Sequence, residues 1–169
     1  MDETTFTVSL ATILIVLMML GIYLGRRNRT KRQLHLTAPP EVPPNLLERQ
    51  PHITVEGKYV TTVLGQQLLE RVTAHRLGNP SQAQIEVHTE GVVLLRAGEP
   101  NFFIPAAQIT GVTTVSGIAG KFVEKDGIVA ITWQLDDTEV TTGLRPETVS
   151  DHQKLRTALE TFTNGRQTA

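Results

Sequence analysis

The sequence predicts a mainly β domain, seven antiparallel strands capped by one C-terminal amphipathic helix, set behind an N-terminal transmembrane helix and a Pro-rich linker. Three observations predict it: an uncharged apolar run near the N-terminus, five of the nine prolines crowded between residues 33 and 56, and short Val-, Ile- and Thr-rich stretches separated by turn residues from Gly57 onward. The chain has 169 residues, a formal net charge of −1, 40% hydrophobic and 20% charged residues, and no cysteine. That length holds one ordinary domain and an appendage. The composition excludes a disordered chain and a generally basic nucleic-acid binder, and the missing cysteines exclude a disulfide framework, a zinc ribbon and a cysteine nucleophile.

The run from Phe6 to Leu24 carries no charge and, as a helix, spans about 28 Å, close to a bilayer core. Asp2 and Glu3 precede it where a cleaved signal would need basic residues, so an uncleaved anchor is expected. Arg26, Arg27, Arg29, Lys31 and Arg32 follow it, which orients the N-terminus outside and the rest of the chain on the cytoplasmic side of the cell membrane. These five cations also form a basic flank at the membrane surface. Gly21 and Gly25 form a G-x-x-x-G pair, a possible homodimer contact at the end of the span. The anchor and its flank occupy residues 1–32.

Residues 33–56 read as a linker, because Pro39, Pro40, Pro43, Pro44 and Pro51 favour extended, solvated backbone. A folded domain is expected over 57–165. Its first strand is Lys58 to Val63, followed by a short amphipathic helix carrying Leu68, Leu69 and Val72 and broken at Gly78-Asn79-Pro80. Ala83–His88 and Val92–Arg96 flank Thr89-Glu90-Gly91 as a hairpin. Asn101–Ile104 and Thr110–Ser116 are the next strands. Ile128–Leu135 places Val129, Ile131, Trp133 and Leu135 on one face, and Asp136-Asp137-Thr138 turns into the last strand, Glu139–Thr142. A helix starting at Pro146-Glu147 or Ser150-Asp151 carries Leu155, Ala158, Leu159 and Phe162 as one apolar stripe and ends at Asn164-Gly165. Seven antiparallel strands and a plugging C-terminal helix is the element order of a pleckstrin-homology-like (PH-like) barrel.

The stretches Tyr59-Val60-Thr61-Thr62, Leu77-Gly78, Glu90-Gly91-Val92, Phe103-Ile104-Pro105-Ala106, Gly117-Ile118-Ala119-Gly120-Lys121, Thr132-Trp133 and Thr142-Gly143 carry a resemblance. From about Tyr59 to Leu159 the chain resembles the small single-pass membrane proteins with a PH-like domain found in high-GC Gram-positive bacteria. That resemblance implies the fold, the membrane location and a label such as transporter or export protein. One helix alone cannot line a conducting path, so transport implies a role as accessory subunit of a larger membrane complex.

Catalytic chemistry has little to stand on. His35, His52, His75, His88 and His152 show no metal-ligand spacing, none of the four serines sits in a G-x-S-x-G elbow, and Asp136-Asp137 is turn chemistry. No enzyme activity, metal or cofactor is expected. Ser116-Gly117-Ile118-Ala119-Gly120-Lys121, with Lys125 beyond it, is the one candidate ligand site: Gly117 and Gly120 can turn backbone N–H groups toward an anion while Lys121 and Lys125 add charge. Val115 and Phe122 stand where a phosphate-binding P-loop needs Gly and Ser or Thr, and a plain glycine-rich turn explains the same residues. From Gly57 onward ten Lys and Arg face twelve Asp and Glu, which weighs against strong anion binding by the domain as a whole. The expected function is a non-enzymatic protein interaction or scaffold module beside the lipid bilayer, without nucleic acid as a partner. Binding of an anionic lipid headgroup or phosphate through residues 116–125 is the alternative.

Overall fold

The computed structural model describes residues 12–21 and 36–164. The chain divides into two units, Met1–His35 and Leu36–Ala169. In the first, residues 12–21 are helical, with the side chains from Ile13 to Leu20 about half or more exposed. Ten helical residues span about 15 Å, and among the described residues no helix is long and apolar enough to cross a membrane. The ends of the apolar run, Gly25 and the basic flank Arg26, Arg27, Arg29, Lys31 and Arg32 lie outside the described residues.

The second unit contains strands β1 (Ile53–Leu64), β2 (Ser81–His88), β3 (Gly91–Arg96), β4 (Phe102–Pro105), β5 (Ile109–Val115), β6 (Gly117–Ile118), β7 (Lys121–Phe122), β8 (Ile128–Leu135) and β9 (Thr138–Pro146), then a helix over Val149–Asn164. Seven strands form one antiparallel sheet in the order β4-β3-β2-β1-β9-β8-β5. Its two end strands, β4 and β5, do not pair with each other. The inner face buries Val129, Ile131, Trp133 and Leu135 of β8 with Tyr59, Ile85, Leu94 and Phe102. Leu155 and Leu159 of the helix enter the same core, and Ala158 and Phe162 pack at its edge. Between β2 and β3 the chain turns in two residues, and a Cβ on Gly91 (φ +149°) would meet the Ile104 carbonyl oxygen at 2.1 Å, so only glycine fits there.

β1 is buried on both faces from Tyr59 to Val63 because a second hairpin, β6–β7, lies across its outside. Ile118 of that hairpin packs with Val60, Val63 and Ile128 in a separate small core. The two hairpin strands bring the count among the described residues to nine, where the sequence predicts seven strands and a glycine-rich turn over this stretch. Two-residue strands carry too few residues to show a period.

Three further expectations are corrected. Residues 36–56 are part of the folded unit: Leu36 joins the main core, Leu46 packs with Val93 and Phe103, the Phe103 N–H donates to the Pro40 carbonyl (2.9 Å), and β1 begins at Ile53. Proline there suits a chain running beside a sheet edge as well as it suits a spacer. No helix forms at Leu68–Val72. Val72 is buried while Leu69 is 75% exposed, and the loop is held by backbone bonds from Val72 N–H to Thr62 O and from Thr62 N–H to Leu77 O, both 2.9 Å. Of the two starts expected for the C-terminal helix, Pro146-Glu147 is set aside: the helix begins at Val149, beside Ser150-Asp151, with Thr148 as its cap, whose Oγ1 accepts from the Asp151 N–H (3.1 Å) and donates to Asp151 Oδ2 (2.7 Å). That bond, ahead of the neighbouring Lys154, holds the Asp151 carboxyl below its usual range.

Polar groups inside the fold are joined in one chain of bonds. Trp133 Nε1 donates to Thr142 Oγ1 (3.0 Å), which shares a bond with Thr62 Oγ1 (2.8 Å), which in turn meets Tyr59 Oη at 2.6 Å; Tyr59 Oη also donates to the Leu77 carbonyl (2.6 Å). Burial pushes the Tyr59 hydroxyl up to about 12. A phenol whose folded value exceeds its unfolded value near 10 favours the fold fully below pH 10 and less as pH rises toward 12. Between these values stability is expected to fall by about 1 kcal/mol per pH unit, and Tyr59→Phe is expected to flatten that slope. Denaturation midpoints across the interval test this; equal slopes for both proteins would refute it.

Candidate functional site

The glycine–lysine stretch singled out from sequence becomes the β6–β7 hairpin. Ala119 (φ 50°) and Gly120 (φ 76°) form its two-residue turn, in which successive left-handed residues match the twist of the strands. The Ala119 N–H donates to the Leu68 carbonyl (2.6 Å), tying the turn to the loop after β1. A Cβ on Gly117 would touch the Phe122 ring at 2.9 Å, so this glycine seats the ring across the strand pair. Gly117 and Gly120 thus shape the hairpin.

The two lysines of that stretch face different grooves. Lys121 borders a groove of about 690 Å³ between the hairpin and the outer side of β1 and β2, walled by Tyr59, Val60, Pro80, Phe122 and Val123. Lys125 borders a second groove of about 500 Å³ at the start of the C-terminal helix, among Glu124, Asp126, Glu147 and His152. Lys58 and Arg145 border both. Sequence reading missed these two: Lys58 is on the outward face of β1 and is the cross-strand partner of Arg145 on β9, a pairing 87 positions apart in the chain that register alone creates. Burial, with Arg71 close by, pulls the Lys121 ammonium below its ordinary pKa. Glu124 takes the guanidinium of Arg145 at 2.9 Å; its own backbone N–H and then Arg145 draw its carboxyl down.

Two other surfaces bear on binding. β5 ends the sheet with β8 as its one strand neighbour, and Thr110 and Thr113 on it are exposed. A shallow groove of about 410 Å³ between β2 and the helix is lined by His52, Val87, His88, Ala158 and Phe162. Three of the described histidines bond through the ring, His52 to Thr89 (2.7 Å), His75 to the Leu36 carbonyl (2.7 Å) and buried His88 to Glu86 (3.4 Å), while Nε2 of His152 is buried without a hydrogen-bond partner. Among the described residues no three His, Asp or Glu converge as metal ligands.

A family model described as bacterial PH domain-like matches residues 36–160, most of the chain. The chain belongs to the bacterial PH domain-like family. The match starts at Leu36, the first residue of the packed unit, and includes the segment read from sequence as linker. No curated protein matches the chain. PH-like domains are generally non-enzymatic modules that bind lipids or proteins, and this one has two grooves and an end strand, β5, with one strand neighbour.

Proposed function

We propose that this protein is a membrane-tethered, non-enzymatic PH-like module that binds a partner protein on the cytoplasmic side of the membrane. The observation that carries the reading is the unequal treatment of the two sheet edges. β4 is covered by residues before β1, through the Phe103–Pro40 backbone bond, whereas β5 has one strand neighbour. An edge strand presents a row of N–H and C=O groups that an extended peptide can extend by one strand. The charge-free run from Phe6 to Leu24 and the five cations after it support the tether and its orientation.

Full-length protein carrying a photo-crosslinking residue at Thr113, irradiated in its own membranes, is expected to give one discrete protein adduct. The same residue at Thr157, exposed on the helix, is expected to give none of that species. Equal adduct patterns from the two positions would refute strand addition at β5. Alkaline extraction checks the tether separately: the full chain is expected in the membrane pellet, and residues 36–169 in the supernatant.

A further inference from the structure

We infer that this domain associates with itself head to tail, the acidic turn between β8 and β9 of one copy entering the groove between the β6–β7 hairpin and the outer side of β1 and β2 of the next, so that Asp136 and Asp137 meet Lys58 and Lys121. This contact is separate from the β5 edge and requires neither the edge reading nor the tether.

The groove is cationic and has no acid in its lining. Its titratable groups are Lys58, Lys121, Arg145 and the buried Tyr59. Lys58 and Arg145 are cross-strand partners, an arrangement in which like charges repel, and Arg71 stands close to Lys121. Glu124, in the neighbouring groove, pairs with Arg145, whereas no ion pair among the described residues takes Lys58 or Lys121. At the rim Phe122 is 85% exposed with its ring seated by Gly117, apolar surface that an incoming chain covers.

The matching acids lie at the far end of β9. Leu135 and Thr138 pair across a two-residue turn, which leaves Asp136 and Asp137 exposed at its tip with Glu139 just beyond. Asp136 accepts from the Thr37 hydroxyl (3.1 Å) and Glu139 from the Gln66 amide (3.4 Å), both neutral donors that leave the carboxylate charges in place. The eight residues from Asp137 to Arg145, taken as extended chain, span about 26 Å. That is about three times the Debye length of about 8 Å in physiological salt, so the turn cannot neutralise the groove of its own copy. A domain with a basic groove at one end of β9 and an acidic turn at the other is complementary to a second copy. Because each copy offers one turn and one groove, the contact is heterologous and copies add in line.

Residues 36–169 form a unit with its own core and can be tested alone. In sedimentation equilibrium their average mass is expected to rise with concentration past the dimer and to fall back toward the monomer as salt is raised. Lys58→Gln with Lys121→Gln neutralises the groove. Asp136→Asn with Asp137→Asn neutralises the turn, and Asn tolerates the left-handed φ of Asp136 (55°). Each pair should weaken association about tenfold, with the melting temperature unchanged. Phe122→Ala should weaken it several-fold, and Lys154→Gln with Arg156→Gln, at two exposed helix positions, should leave it within about twofold. Mixing the groove variant with the turn variant leaves one intact turn and one intact groove, so the mixture should form dimers and nothing larger at concentrations where either variant alone is monomeric. A wild-type domain that stays monomeric up to about 1 mM, an oligomer that neither pair weakens, or a mixture no larger than its components would overturn the inference. So would a loss of association from the groove pair without one from the turn pair, which would give the groove to an acidic segment of another protein.

Discussion

Arg96→Ala is expected to destabilise the domain by about 3–4 kcal/mol. Arg96 is 4% exposed. Its Nη2 donates to the carbonyls of Arg76 (3.1 Å) and Asn79 (2.8 Å), its Nε donates to Ser81 Oγ (3.3 Å), and its carbon lies 4.0 Å from the centre of the Tyr59 ring. Nη1 is buried without a hydrogen-bond acceptor, and the aromatic faces of Tyr59 and Phe102 are its nearest compensation. Burial pushes the guanidinium pKa down, opposed by Tyr59 and Glu99, yet the group stays charged because an arginine starts so high. Truncation strands two carbonyls and uncovers Tyr59. Arg96→Lys keeps the charge but lacks a planar fork that can stack and reach two carbonyls at once, so it should restore less than half of the loss. Denaturant titration measures the stability change. Hydrogen exchange locates it, because the Thr62 amide bonded to the Leu77 carbonyl should lose protection first. A loss below about 0.5 kcal/mol, the range of an ordinary surface substitution, would refute this account.

Leu46→Ala is expected to cost about 3 kcal/mol, the usual range for a leucine removed from a packed core. Leu46 is 1% exposed and fills a small core with Val93 and Phe103, flanked by Val42 and Leu95. A spacer would tolerate the change within about 0.5 kcal/mol, so the substitution separates a packed strap from a linker. Leu47→Ala, at a neighbouring position that is 56% exposed, is the matched control and should be nearly neutral. Equal effects at the two positions would return residues 36–47 to the spacer reading.

The strands that alternate strictly were legible. Ile128–Leu135 was read to its end residues, and its four apolar positions are the ones that enter the main core, because a period of two survives without any knowledge of the partner strand. The helix stripe Leu155, Ala158, Leu159 and Phe162 was legible for the same reason. The Leu68–Val72 helix was misread because i and i+4 spacing also arises in a loop whose one buried side chain, Val72, is fixed by backbone bonds to β1. Of the residues lining the groove under the hairpin, Lys121 was found through its glycines. Lys58, Arg145 and Phe122 were missed because nothing local marks them.

The sequence by itself determined the mainly β class and the C-terminal helix with its buried stripe. These depend on side-chain periodicity and on residue type, which are properties of neighbours in the chain. The tertiary structure alone decided that residues 36–52 strap onto the sheet, that Lys58 stands opposite Arg145, and that the segment before β1 bonds to β4 while β5 ends the sheet with one strand neighbour. Each of those depends on strand register or on contacts between distant segments, and register follows from how all the apolar faces are buried at once.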